Sequence, residues 1–350
     1  MSGVHRDVQP ARDLRASDAE REHVGELLQQ AMSHGRITIS EFDERMGAAM
    51  AARTRGELDA VLVDLPGARR AGMSYTAEIS RANPACLVFL VDQSTSMIEK
   101  IGAGELVQSK AQIVADALNR LLAELTVKCG KDEGVRDYFH IAVIGYGASV
   151  GSALGGRLSD RWLVPISEVA DAPARIEQRR KRVPDGAGGL VEQTVMFPVW
   201  VDPVTDGMTP MCAALTEAAT IVRGFVEAHP GCFPPVVLNL TDGDPTDGEP
   251  HAAASALTGV RSEDGNVLLF NLHVAGDRAR SISFPSSAQG LGASAARLFD
   301  ISSVLPEHVG GCAAEYGFET TPATRGFVYN SDVTTLVQFL DIGTRARDLR

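Results

Sequence analysis

The feature that most constrains this chain is an unbroken apolar run, Ala85-Cys86-Leu87-Val88-Phe89-Leu90-Val91, that ends at Asp92. A strand with one wet face alternates apolar and polar side chains. A run that is apolar at every position suits a strand covered on both faces. Similar runs recur at 141–144, 236–240 and 267–274. Helical periods separate them. Over 105–127, Val107, Ala111, Val114, Leu118, Leu121 and Leu125 fall on one stripe; over 211–226, Met211, Leu215, Ala218, Val222 and Phe225 do the same. A last helix is expected over 332–340. Strands alternating with helices predict an α/β domain with a mainly parallel central sheet and helices on both faces.

A different pattern precedes this. Ser17 with Glu20 and Thr54 with Glu57 have capping-box spacing, and Ser40 can cap a helix between them. Leu27, Leu28 and Met32, then Phe42, Met46 and Met50, then Leu58, Val61 and Leu62 supply three apolar faces. His34-Gly35-Arg36 stops the first helix and Asp64-Leu65-Pro66-Gly67 the last. The expected organisation is a small three-helix module at 1–66, a linker at 67–84 and the α/β domain at 85–343. Within it, 175–194 reads as an irregular exposed insertion that holds the basic run Arg179-Arg180-Lys181-Arg182 and Gly186, Gly188 and Gly189.

In open parallel sheets, ligands bind beyond the carboxyl ends of the strands. The first strand is followed by Asp92-Gln93-Ser94-Thr95-Ser96, a D-x-S-x-S, and the 236–240 strand by Thr241-Asp242-Gly243. Gly207-Met208-Thr209-Pro210 precedes the second long helix, with Thr209 suited to its N-cap and Pro210 to its first turn. Asp92, Ser94, Ser96, Thr209 and Asp242 thus form an all-oxygen set, the donor chemistry of hard cations such as Mg²⁺. Without a cation, Asp92 and Asp242 would repel, so loss of Asp242 is expected to relieve the metal-free protein.

D-x-S-x-S, a distant G-x-T-P and a later T-D-G, in this order, resemble the von Willebrand factor type A (VWA) domain and its metal-ion-dependent adhesion site, or MIDAS. The resemblance covers roughly residues 85–343. It implies a Rossmann-like sheet, parallel except for one short edge strand. It also implies a divalent metal (Mg²⁺, or Mn²⁺ or Ca²⁺) at Asp92, Ser94, Ser96, Thr209 and Asp242, and a protein partner that supplies an Asp or Glu to that metal. The segment Thr241 to Asp247 is similar to bacterial members that accompany kinases and phosphatases in stress or defence systems. The N-terminal stretch, through Leu14-Arg15-Ala16-Ser17-Asp18, Glu41-Phe42-Asp43-Glu44-Arg45 and Asp64-Leu65-Pro66, resembles a small actinobacterial domain of unknown function.

The function expected is therefore a non-enzymatic protein-interaction module. The alternative is a serine esterase: Gly147-Ala148-Ser149-Val150-Gly151 matches G-x-S-x-G after a strand, with Ser149 attacking, His308 as base and Asp277 orienting. A nucleophile elbow must lead into a helix, and 152–157 is a poor helix start. With 162–166 as a return strand, a Gly-rich edge hairpin is the preferred reading. Asp244, Asp247 and Glu249 lack calcium-loop spacing and read as a solvated turn and helix N-terminus.

A net charge of −12 argues against nucleic-acid or anionic-membrane binding. No apolar run reaches the ~18 residues of a membrane span. The charged start, Met1 to Glu22, is unlike a signal peptide, so a cytoplasmic location is expected. Cys86, Cys129, Cys212, Cys232 and Cys312, an odd number without C-x-x-C, read as reduced and mostly buried thiols. His273 reads as a core residue inside its strand.

Overall fold

The computed structural model describes residues 15–16, 18–33, 36–62, 75–101, 107–184, 190–274, 281–331 and 333–344. The chain divides into two compact units, Met1–Thr76 and Ala77–Arg350. Ser17, the 34–35 stop and residues 67–74 of the expected linker lie outside the described residues, as do Gly186, Gly188, Gly189, Asp277 and Asp332.

Among its described residues the first unit holds three helices, α1 (Asp18–Ser33), α2 (Ile39–Ala51) and α3 (Arg55–Val61). Val24, Leu28, Ala31, Ile37, Ala49, Leu58 and Leu62 form its core, with Leu27, Met32, Phe42 and Val61 half-buried against it. Met50 points to solvent instead, 53% exposed. Thr38, not Ser40, caps α2: its Oγ1 accepts from Glu41 N at 3.2 Å while Glu41 Oε2 accepts from Thr38 N at 2.8 Å. The Thr54–Glu57 box forms as the spacing predicts, with Thr54 Oγ1 accepting from Glu57 N at 3.3 Å and Glu57 Oε2 accepting from Thr54 N at 3.1 Å. Arg21 ties the helices together by donating to Ala52 O at 3.0 Å.

The second unit is built on an eight-stranded sheet. Its strands are β1 (Ala85–Asp92), β2 (Phe139–Tyr146), β3 (Val150–Ser152) and β4 (Val164–Pro165), then, past a separate ribbon of β5 (Arg175–Pro184) and β6 (Leu190–Val199), β7 (Val236–Thr241), β8 (Leu268–Val274), β9 (Ile282–Ser283) and β10 (Phe327–Ser331). The order is β9-β10-β8-β7-β1-β2-β3, with β4 also on β2. The five central strands run parallel. Both margins are antiparallel: β3 and β4 pair with β2, and β9 pairs with β10. The family resemblance implied a single edge strand; here short returns finish the sheet at either side.

The helices of this unit are α4 (Lys110–Lys128), α5 (Ile166–Asp171), α6 (Met211–Ala228), α7 (His251–Thr258), α8 (Ala293–Ile301), α9 (Glu307–Glu315) and α10 (Val333–Thr344). Every residue of β1 is buried, as its composition requires. Cys86, Val88 and Leu90 face a core with α6, α7 and α8. By the pleat, Leu87, Phe89 and Val91 face the other side, where α10 packs on the sheet and against α4. Gly343 of α10 sits so close that a Cβ there would come 2.7 Å from Leu238 Cδ2.

Two further sequence expectations change. The first long helix begins at Lys110, capped by Ser109 Oγ accepting from Gln112 N at 3.1 Å, and Val107 precedes it, 45% exposed. The segment read as an irregular insertion is instead a regular ribbon, β5 pairing antiparallel with β6 from Arg175–Val199 to Pro184–Leu190. Neither stretch alternates cleanly between polar and apolar, and the basic run at 179–182 has the composition of a loop, so the strand emerges only in the pairing with β6. Arg179 lies over the Phe197 ring at 3.7 Å and pairs with Asp116 of α4 at 2.9 Å, so it anchors the ribbon rather than floating in a solvated loop.

Candidate metal centre

Because β1 and β7 are parallel neighbours, their carboxyl ends share one sheet edge. Asp92 ends β1 and is 1% exposed. Its Oδ1 accepts from Ser94 N at 2.9 Å, an Asx turn that starts the loop. Its Oδ2 accepts from Thr241 Oγ1, the last residue of β7, at 2.7 Å. Ser94 Oγ lies 2.9 Å from Ser96 Oγ, and Ser96 Oγ donates to Asp242 Oδ1 at 2.7 Å. Asp92, Ser94, Ser96 and Asp242 are thus joined through one hydrogen-bond chain.

Thr209 arrives on a third loop, docked by backbone contacts. Gly207 O accepts from Thr95 N and from Thr95 Oγ1, both at 3.1 Å, and Asp206 N donates to Gln93 O at 2.6 Å. Gly207 has φ +87°, and a Cβ on it would meet Ala148 N at 2.3 Å; a Cβ on Gly147 would meet Asp206 O at 2.4 Å. The glycines of the β2–β3 turn and of this loop are therefore demanded by close approach. Thr209 itself is 6% exposed and clasped by Thr246, which accepts from Thr209 N at 3.0 Å and donates its own N–H to Thr209 O at 2.9 Å.

Thr209 does not cap α6, as the sequence suggested. Pro210 occupies the cap position, and Asp247 from the loop after β7 supplies the acceptors, Oδ1 for Cys212 N at 3.0 Å and Oδ2 for Ala213 N at 2.9 Å. Asp244 accepts from Ser294 at 2.6 Å and from Arg297 at 2.8 Å, which ties the same loop to α8. Two of the acids read as a solvated turn are in fact clamps.

Burial pushes the Asp92 carboxyl above its ordinary value; hydrogen bonds from Ser94 and Thr241 pull it down, and Asp242 adds to the upward push. Lys110, at the start of α4 and 5% exposed, donates to Asp242 Oδ2 at 3.1 Å and also pairs with Glu99. Burial disfavours its charge, but the bonds to Glu99 and Asp242 hold its pKa above the usual lysine value. Beneath the site a buried polar ladder crosses the sheet. Tyr146 OH donates to Asn239 Oδ1 at 2.7 Å, Asn239 Nδ2 to Asn271 Oδ1 at 2.9 Å, and Asn271 Nδ2 to Ser302 Oγ at 2.9 Å.

Among the described residues no three His, Cys, Asp or Glu side chains cluster as a metal cage. The set is two carboxylates and three hydroxyls, which fits a hard divalent cation that keeps waters and open positions. Ser96 spends its proton on Asp242 and accepts from Ser94, which leaves it one lone pair for an electrophile. Sequence reasoning missed Lys110, Glu99 and Thr246, and read Asp247 only as part of a solvated turn and helix N-terminus. The one available signal was a lysine at a helix start, where the dipole favours acids.

Two of the three esterase residues are among the described ones, and they do not form a nucleophile elbow with its base. Ser149 is in the turn between β2 and β3, where its carbonyl accepts from Gly147 N at 3.1 Å, and no helix follows. His308 is on α9, its ring edge-on to Phe233 at 5.4 Å. Cys86, Cys129 and Cys232 are buried and Cys212 and Cys312 half-buried, and no disulfide joins any two of them. His273 stacks on Tyr329 at 4.8 Å.

Fold and site together define a doubly wound α/β domain with an oxygen-donor cluster at its carboxyl edge, carried with a three-helix module. Residues 14–66 match the family described as the DUF1707 SHOCT-like domain. Two uncharacterized proteins of Mycobacterium tuberculosis, from strains CDC 1551 / Oshkosh and ATCC 25618 / H37Rv, are each 39% identical over 69 residues, 19% of this chain and 34% of theirs. The chain thus spans about a third of these relatives' length. Among solved structures, it is similar to proximal thread matrix protein 1 from the mussel byssus with a zinc-occupied MIDAS motif, at TM-score 0.39 and 14% identity, over 76% of this chain and 48% of that one. It is also similar to the vWF domain of the type V pili tip protein Mfa5 from Porphyromonas gingivalis, at TM-score 0.25 and 12% identity, over 47% and 39%. Among the described residues no helix is long and apolar enough to cross a membrane.

Proposed function

We propose that the second unit is a divalent-cation-dependent protein-binding module of VWA type, with Asp92, Ser94, Ser96, Thr209 and Asp242 holding Mg²⁺, Mn²⁺ or Ca²⁺. The observation that carries this reading is the hydrogen-bond chain that joins the loops after β1 and β7, from Asp92 through Ser94 and Ser96 to Asp242, with the loop that carries Thr209 docked on Gln93 and Thr95. A bound cation would supply a Lewis-acid position for an acidic side chain of a protein partner. The chain's own residues prepare that position. Ser94 and Ser96 present neutral oxygens that bind without cancelling the cation's charge, and the hydrogen bonds of Asp92 and Asp242 keep their oxygens oriented.

The role is binding without turnover, in a bacterial signalling or stress assembly that includes a kinase or phosphatase. Five cysteines with no disulfide among them are in keeping with a reducing, cytoplasmic setting. The test is calorimetric titration of the full chain with Mn²⁺ and Mg²⁺, paired with affinity purification from the native host with and without chelator. Saturable metal binding and a chelator-sensitive partner are expected. Absence of metal binding, or hydrolysis of an activated ester that is lost on Ser149→Ala, would overturn the reading.

A further inference from the structure

Lys110 breaks two local rules at once. It is a cation at the positive end of a 19-residue helix, and it is 5% exposed where lysines almost always reach water. Nothing in helix formation or core packing favours it there. Rule-breaking of this kind concentrates at functional sites. What offsets the cost is specific: Nζ lies 3.1 Å from Asp242 Oδ2 and is paired on its other side with Glu99. Asp242 is thereby divided. Its Oδ2 is occupied by the ammonium, and its Oδ1 accepts from Ser96 Oγ at 2.7 Å.

We propose that Lys110 is a positioning residue that sets the charge of the cation site: it cancels the charge of Asp242 while holding that carboxylate in place. This rests on the metal reading above and deepens it. Among the buried groups, Asp92 and Asp242 negative and Lys110 positive leave one net negative charge against a divalent cation, while the charge of Glu99, 61% exposed at the rim, is screened by solvent. One positive charge is left over, and it is met when a carboxylate arrives from outside. Lys110 thus trades cation affinity for affinity toward an acidic ligand, so the cation is held weakly until the partner binds. Glu99 opposes it from the rim, where its side chain is 61% exposed, by drawing the ammonium partly away from Asp242.

The test is calorimetric titration of the full chain with Mn²⁺ alone, for wild type, Lys110→Gln and Glu99→Gln, with circular dichroism to check the fold. Gln keeps a donor for Asp242 Oδ2 and removes the charge. Lys110→Gln is expected to bind Mn²⁺ about tenfold more tightly or better, since a charge facing a divalent ion in a partly buried site is worth at least that. Glu99→Gln is expected to weaken Mn²⁺ by about threefold, through a shift of the ammonium onto Asp242. Opposite signs are the diagnostic, because a purely structural lysine would give weaker binding in both variants. Unchanged or weaker binding by folded Lys110→Gln overturns the proposal while leaving the metal reading intact. If Lys110→Gln does not fold, Glu99→Gln decides alone, and unchanged or tighter binding there overturns the proposal. A wild type that takes up no Mn²⁺ overturns the metal reading and this proposal together.

Discussion

Ser96 Oγ donates to Asp242 Oδ1 at 2.7 Å across 146 residues of sequence. This bond closes the site. It joins the loop after β1 to the loop after β7, and it uses the serine's only proton on a carboxylate whose other oxygen is held by Lys110.

Cation binding should therefore show as stability. At 100-fold excess over Kd, a ligand that binds only the folded state contributes about 2.7 kcal/mol. That is a rise of a few degrees in Tm for a domain of this size. Differential scanning fluorimetry with Mg²⁺ or Mn²⁺ is expected to show this rise in wild type and in Ser149→Ala, and to show little of it in Asp242→Ala. In the metal-free state Asp242→Ala should be less stable than wild type by about 1–3 kcal/mol, because it strips one acceptor from a buried ammonium. This reverses the expectation from sequence, which placed two carboxylates together and had no lysine beside Asp242.

Asp247 is predicted to be the N-terminal cap of α6 from outside the helix. Asp247→Ala should cost about 1 kcal/mol, within the usual range for losing a capping carboxylate, measured by urea denaturation. The same variant should weaken Mn²⁺ binding, since Asp247 and Thr246 share the loop that clasps Thr209.

The ladder under the site offers a cleaner stability test. Tyr146→Phe removes the proton given to Asn239 Oδ1 and leaves that buried oxygen without its tyrosine donor. A loss of about 1–3 kcal/mol is expected. Retention of full stability would mean that water or a rearranged Asn239 replaces the hydroxyl.

His140 should give the fold an acid-side weakness. Its Nδ1 is buried without a hydrogen-bond partner among the described residues, and its ring sits 5.4 Å from Phe225 and 5.9 Å from His229. Burial, helped by His229, holds its pKa below the ordinary histidine value. The unfolded chain therefore takes a proton first. Stability is full above about pH 6.5 and falls as pH drops from there toward the folded-state pKa. His140→Phe should flatten this part of the pH–stability curve relative to wild type.

The legible part of this protein was whatever one stretch of chain decides for itself. The all-apolar run at 85–91 suits a strand covered on both faces, and β1 is buried along its whole length. The stripes on α4 and α6 and the box at Thr54 and Glu57 followed from periodicity and reach. The motif positions of Asp92 and Asp242 followed from their place just after apolar runs. What only the tertiary structure decided depends on chain segments far apart in sequence. The ribbon at 175–199 needed its partner strand to be recognised. Asp247 caps a helix that begins 36 residues before it, and the glycines at 147 and 207 are explained by each other's loop. Lys110 looks, in sequence, like one more solvated lysine at the head of a helix. Its role comes from Glu99 and Asp242, because a buried charge is defined by the groups that surround it, and those are brought together only by the fold.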